Sequence, residues 1–119
     1  MRGYIQCQIP ILPVKDVLKT VEYYHDVLGF NLEWIWDDGG YAEVTCGEIL
    51  LHFDKQEEIS PTSAYLFVND VDEVYAYYQK KGVNIIREIE SKTWNVREFT
   101  FQDLNGHMFR VAQSLKQNQ

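Results

Sequence analysis

The chain has 119 residues, 45% of them hydrophobic and 14% aromatic, which excludes a disordered polypeptide and bounds a single domain with a real core. A formal charge of −7 and a pI near 4.8 oppose a phosphate backbone, so no nucleic-acid partner is expected, while a cationic small molecule is attracted. No apolar run is long enough to span a bilayer, and Met1-Arg2-Gly3-Tyr4 opens without the apolar stretch of a signal peptide, so no membrane contact and a cytoplasmic location are expected.

Ile5 to Leu12 reads as a first strand. Asp16 is a credible N-cap for a helix to about Leu28, because Val17, Val21, Tyr24 and Leu28 recur on one helical face and Gly29 can end it. Phe30 to Trp36 is a strand, Asp37-Asp38-Gly39-Gly40 a hairpin turn, and Tyr41 to Cys46 the returning strand. Gly47 turns the chain into a further strand, Glu48 to Phe53. The polar stretch 54–62, with Pro61, is a linker; the modules it joins are bounded as 4–54 and 62–113, with 55–61 between them.

Ala64 to Val68 is the next strand. Asp70 caps a second helix with Glu73 three residues on, its buried stripe is Val71, Val74, Tyr75 and Tyr78, and Gly82 stops it. Val83 to Ile89 is a strand, Glu90 to Trp94 a loop, Val96 to Phe101 a strand, Asn105-Gly106 a tight turn and His107 to Ala112 the last strand, before a frayed tail over 116–119. Cys7 and Cys46 form no disulfide framework or zinc cluster and read as half-buried core thiols.

The chain is written twice. Shifted by 54 positions, Val14, Asp16, Val17, Tyr23 and Tyr24 fall on Val68, Asp70, Val71, Tyr77 and Tyr78. The order is βαβββ–linker–βαβββ, an α+β fold of two repeated modules. Such a duplication places matching positions across a pseudo-twofold axis.

These paired modules resemble the vicinal-oxygen-chelate superfamily, which holds glyoxalase I, extradiol dioxygenases, fosfomycin-resistance enzymes and bleomycin-resistance proteins. The last are the best match. Ile9-Pro10-Ile11-Leu12-Pro13-Val14-Lys15-Asp16 and Tyr23-Tyr24-His25-Asp26-Val27-Leu28-Gly29-Phe30 are similar to their opening strand and first helix. Trp94-Asn95-Val96-Arg97-Glu98-Phe99 and Asp103-Leu104-Asn105-Gly106 resemble their Trp-Gly-x-Arg-Glu-Phe and Asp-Pro-x-Gly motifs, with Asn95 where Gly is usual and Leu104 where Pro is usual. The resemblance covers residues 5–113. It implies the glyoxalase/bleomycin-resistance/dioxygenase-like fold and, for a chain this short, a cup completed in a C2 homodimer.

Enzymes of that superfamily hold a divalent metal through His and Glu side chains. Counted from the flanking motifs, the corresponding places here hold Ile9, Leu50, Ser63 and Arg110. None is a good ligand, and Arg110 brings a permanent positive charge. The three histidines, His25, His52 and His107, include no pair at chelating spacing. No metal, cofactor or catalytic residue is therefore expected. Arg97 and Glu98 are read as a structural pair, and Arg110 is expected to meet an inner carboxylate.

What the resemblance then leaves is a concave sheet that can bind without reacting. Trp34 and Trp36 share strand parity and one face, Asp37 and Asp38 follow at the hairpin tip, Tyr41 begins the return strand, and His52 shares the inner face. Trp94 stands where the resemblance puts a ligand-stacking tryptophan. Each has a plainer reading: Trp34 and Trp36 as core or dimer packing, Asp37 and Asp38 as a solvated turn, His52 as a satisfied half-buried histidine. As a set with Arg110 they suit a large, flat cation of the bleomycin or phleomycin type, held stoichiometrically and released unchanged. The alternatives are a superfamily enzyme acting on another small metabolite, or a carrier or sensor of an aromatic compound unrelated to resistance.

Overall fold

A computed structural model of the chain describes residues 3–116. The frayed tail expected over 116–119 falls, beyond Lys116, outside the described residues. The elements follow the expected order: β1 (Ile11–Val14), α1 (Val17–Asp26), β2 (Asn31–Ile35), β3 (Tyr41–Cys46) and β4 (Ile49–Lys55), then β5 (Ser63–Phe67), α2 (Val71–Lys80), β6 (Asn84–Ser91), β7 (Val96–Gln102) and β8 (Met108–Ser114). Contacts divide the chain into two compact units, residues 1–60 and 61–119. Among the described residues no helix is long and apolar enough to cross a membrane.

In the first unit the sheet order is β1-β4-β3-β2, with β1 and β4 parallel and the other pairs antiparallel. Asp16 caps α1 by accepting a hydrogen bond from the Lys19 backbone N–H at 2.9 Å, in the extended backbone an N-cap adopts. The helix closes as Gly29 takes φ +83° and the Phe30 N–H returns to the Tyr24 carbonyl at 2.8 Å. Tyr24 is the centre of the core, with its ring 5.3 Å from Phe30 and 4.7 Å from Phe53. Val14, Val17, Val21, Ala42, Val44 and Leu51 are buried around it.

The second unit repeats the plan: sheet order β5-β8-β7-β6, with β5 and β8 parallel. Asp70 caps α2 through the Glu73 N–H at 3.1 Å, and Gly82 ends it at φ +76°. Tyr78, Phe99, Phe101 and Phe109 make its aromatic core, with centroids of neighbouring rings 5.2–6.4 Å apart. His107 is fully buried and structural: its Nδ1 accepts from the Thr62 N–H at 3.0 Å.

Several boundaries differ from expectation for local reasons. The first strand begins at Ile11 rather than Ile5, since Pro10 has no N–H to continue the ladder. Cys7 therefore lies outside the sheet and is exposed, not half-buried; Cys46 is intermediate. β4 runs through Asp54 to Lys55, which pair with Pro13 and Val14 and so leave the linker shorter. β6 continues through Glu90 and Ser91, which still pair with Glu98 and Arg97, so the loop before β7 shrinks to Lys92–Asn95.

Candidate functional site

Alternation along β3 and β4 gives the first sheet one face covered by α1 and one open face. Ala42, Val44, Leu51 and Phe53 are buried on the first; Tyr41, Glu43, His52 and Asp54 are half-buried on the second. β2 joins this face through a bulge. Leu32 lies opposite Val44, yet Trp34 lies opposite Glu43, so Glu33 is the extra residue. In a regular ladder Trp34 would face Ala42 on the covered side. The Trp36 N–H bonds the Tyr41 carbonyl at 2.8 Å, keeping Trp36 in step with Trp34.

The result is a cluster of rings. Trp34 stacks on Tyr41, 6.0 Å between centroids and 18° between planes. His52 meets Trp34 edge-on at 5.4 Å, and Trp36 meets it edge-on at 6.5 Å. Trp34 is 38% exposed and Trp36 62%. Beneath them runs a hydrogen-bonded chain: Tyr41 Oη to His52 Nδ1 at 2.8 Å, and His52 Nε2 to Glu43 Oε1 at 2.8 Å. An ionised carboxylate only accepts, so Nε2 carries the hydrogen, and in the neutral ring Nδ1 then accepts from the Tyr41 hydroxyl. Burial first, and the nearby Asp54 charge second, push the Tyr41 phenol above its ordinary value. At the edge of the face Thr45 donates to Glu33 at 2.8 Å.

Asp37 and Asp38 are exposed in the hairpin turn, where Asp38 Oδ1 accepts from the Gly40 N–H at 2.8 Å. Asp38 thus has a structural task in the turn. The structure brings Trp34, Trp36, Tyr41 and His52 together and adds Glu43, which the sequence reading missed. The signal for Glu43 was its parity with Tyr41, between the core positions Ala42 and Val44.

Trp94 and Arg110 belong to the second unit. Trp94 is 57% exposed in the β6–β7 turn, with Lys92 Nζ 6.0 Å from its ring. Asn95 beside it has φ +65°, the conformation that makes Gly the usual residue here and Asn the next best. Arg110 Nε forms an ion pair with Glu98 Oε2 at 3.4 Å, and its guanidinium lies 5.4 Å over the Tyr65 ring. Glu98 is only 3% exposed and also accepts from the Tyr65 hydroxyl. That hydrogen bond, followed by burial and the Glu98 charge, raises the Tyr65 phenol, against smaller opposing effects of Trp94 and Arg110. Arg97 and Glu98 do not pair with each other. Neighbours on a strand point to opposite faces, so Arg97 reaches Asp72 on α2 at 3.0 Å instead.

Strand register also corrects the position matching Arg110. Arg110 lies opposite Tyr65, His52 lies opposite Ile11, and Ile11 plus 54 is Tyr65, so His52 rather than Leu50 is the counterpart. The residues at the metal positions are then Ile9, His52, Ser63 and Arg110. Ile9 has no donor atom, both nitrogens of His52 are engaged, and Arg110 is a fixed cation already paired with Glu98. This set does not fit a divalent metal. Among the described residues no three or more His, Cys, Asp or Glu side chains gather as a metal-binding group.

Comparison with known proteins places this geometry among relatives. The sequence profile of the Glyoxalase/Bleomycin resistance protein/Dioxygenase superfamily matches residues 4–111. A bleomycin resistance protein of Geobacillus stearothermophilus is 25% identical over 129 aligned positions, which cover 91% of this chain and 96% of the relative. The glutathione transferase FosA of Serratia marcescens is 28% identical over 110 positions, covering 84% of this chain and 74% of that one. Among solved structures, TioX from Micromonospora sp. ML1 has the same fold, with a TM-score of 0.85 at 20% identity over 92% of this chain and 99% of that one. The relatives' names thus span a resistance protein and a transferase.

Proposed function

Because the chain belongs to the Glyoxalase/Bleomycin resistance protein/Dioxygenase superfamily, we propose that it is a small-molecule binding protein that sequesters a cationic, aromatic glycopeptide antibiotic of the bleomycin type. The observation that carries this reading is Trp34 stacked on Tyr41, with Trp36 and His52 against it, on an open sheet face that also bears Glu33 and Glu43. Exposed flat rings stack on heteroaromatic systems, and each ring face offers a cation about 0.5–2 kcal/mol. The carboxylates, and the acidic chain as a whole, draw an amine toward that face. The working unit is a cytoplasmic C2 dimer of single-domain chains, and the binding is metal-free and stoichiometric. Trp94 contributes a further stacking surface in this reading.

The test is a tryptophan-fluorescence titration of chelator-treated protein with metal-free bleomycin. Saturable quenching at one ligand per chain is expected. An unchanged spectrum, with no heat of binding by calorimetry, would remove the antibiotic from the account.

A second reading is favoured by the Tyr41–His52–Glu43 chain, which joins a phenol, an imidazole and a carboxylate as general acid–base groups are joined in enzymes. In that reading the protein is a superfamily enzyme acting on another small metabolite. Its mark is turnover that His52→Ala abolishes while binding persists.

A further inference from the structure

Arg110 is held from behind and left open in front. Its Nε faces the buried Glu98 carboxylate, its plane lies over Tyr65, and Glu98 is in turn fixed by the Tyr65 hydroxyl. Among the described residues neither Nη nitrogen has a hydrogen-bond partner, and the side chain is 45% exposed. A guanidinium anchored in this way loses little freedom when its terminal fork takes a planar oxyanion. Glu98 lies behind the cation and is covered, so it orients Arg110 without occupying the fork.

Next along the strands from Arg110 is a hollow of about 480 Å³ lined by Pro61, Thr62, Ser63, Gln102, Gly106 and Met108. Ser63 lies opposite Met108 and Tyr65 opposite Arg110, so the hollow starts one same-face step, roughly 7 Å of backbone, along the strands from the Arg110 position. Its volume lies in the range of small-molecule sites, and Pro61 and Met108 give it apolar walls.

We propose that the second unit carries a carboxylate-binding site: the Arg110 fork takes the carboxylate of a small organic acid, and the hollow between Ser63 and Met108 takes its apolar body. The site is confined to the second unit. It does not depend on the antibiotic reading, which rests on Trp34 and Tyr41.

The probe is 3-phenylpropanoate, titrated by calorimetry into the intact protein beside 3-phenylpropylamine, which has a similar body and the opposite charge. The acid is expected to bind saturably with an affinity that Met108→Trp abolishes, whereas any heat from the amine, a cation that the Trp34 face attracts, is expected to be unchanged by Met108→Trp. Arg110→Met should weaken the acid by roughly tenfold or more, the worth of a charge-assisted hydrogen bond. Arg110→Lys keeps the charge without the fork and should also weaken it. Met108→Trp fills the hollow without touching the anchor, and should abolish binding even if Arg110→Met fails to fold. Trp34→Ala should leave the acid's affinity unchanged while lowering that for bleomycin. No binding of the acid, amine binding that Met108→Trp abolishes, or an acid affinity indifferent to both Arg110→Lys and Met108→Trp would overturn the proposal.

Discussion

His52 and Arg110 hold the same register position in the two sheets: His52 lies opposite Ile11 on β1, and Arg110 opposite Tyr65 on β5. Each is a basic side chain on the open face held by a carboxylate and a tyrosine, Glu43 and Tyr41 in one unit, Glu98 and Tyr65 in the other. Only the basic residues match in position: Glu43 lies opposite His52 and Tyr41 is on the same strand β3, whereas Thr100 lies opposite Arg110, Glu98 lies opposite Ala112 and Tyr65 comes from β5. An imidazole can lose its charge and a guanidinium cannot, so the two faces favour different ligands.

The His52 trio is expected to act as a coupled unit. His52→Ala leaves the half-buried Glu43 carboxylate without its donor and should cost about 1–3 kcal/mol of stability. Tyr41→Phe, which leaves Nδ1 without a donor, should cost about 0.5–1.5 kcal/mol. Urea denaturation of the single and double variants should give a double change smaller than the sum of the two.

The Tyr65–Glu98 hydrogen bond sets an alkaline limit. The Tyr65 phenol is raised in the folded chain, so folding favours its protonated form. The sign follows: this stabilisation is complete below the unfolded value of 10.0 and is lost as pH rises through the folded value. Denaturation midpoints measured from pH 8 upward should fall less steeply in Tyr65→Phe than in the wild type.

At the acid end, Arg97 lowers the Asp72 carboxyl chiefly by hydrogen bonding to it. Its stabilisation is present above the unfolded value of 3.8 and is lost as pH falls through the lower folded value. Asp72→Asn should flatten that part of the stability curve. Because the pair is on the surface, the difference should shrink in high salt.

Asn95 offers a backbone test. At φ +65° a β-branched side chain is strained, so Asn95→Val should destabilise by about 1–2 kcal/mol. Asn95→Gly removes that cost and should change stability by less than about 1 kcal/mol. Thermal unfolding of the two variants separates them, and an Asn95→Val protein as stable as the wild type would contradict the positive φ.

Much of the fold was legible because the repeat, the two Asp caps and the Gly stops are local signals that packing did not override. The open face was legible in part. Parity put Trp34 and Trp36 on one face, but it is the bulge at Glu33 that turns that face to the side of Tyr41 and His52, and strand alternation does not reveal it. The match of Leu50 to Arg110 failed because the modules differ in loop length. The offset is 54 between Ile11 and Tyr65 but 58 between His52 and Arg110, and counting across loops cannot see such a change. Glu43 was missed because a carboxylate on an alternating strand reads as solvated until its partners are placed, and Glu98 was assigned to Arg97, its neighbour in sequence, rather than to Arg110, whose expected inner carboxylate it is.

The most direct measurement is calorimetric titration of metal-free bleomycin into chelator-treated wild type and Trp34→Ala, followed by recovery of the ligand and determination of its mass. The account predicts one ligand per chain, an unaltered mass, and weaker binding in Trp34→Ala. No binding to the wild type, or a recovered ligand of changed mass, would contradict stoichiometric sequestration.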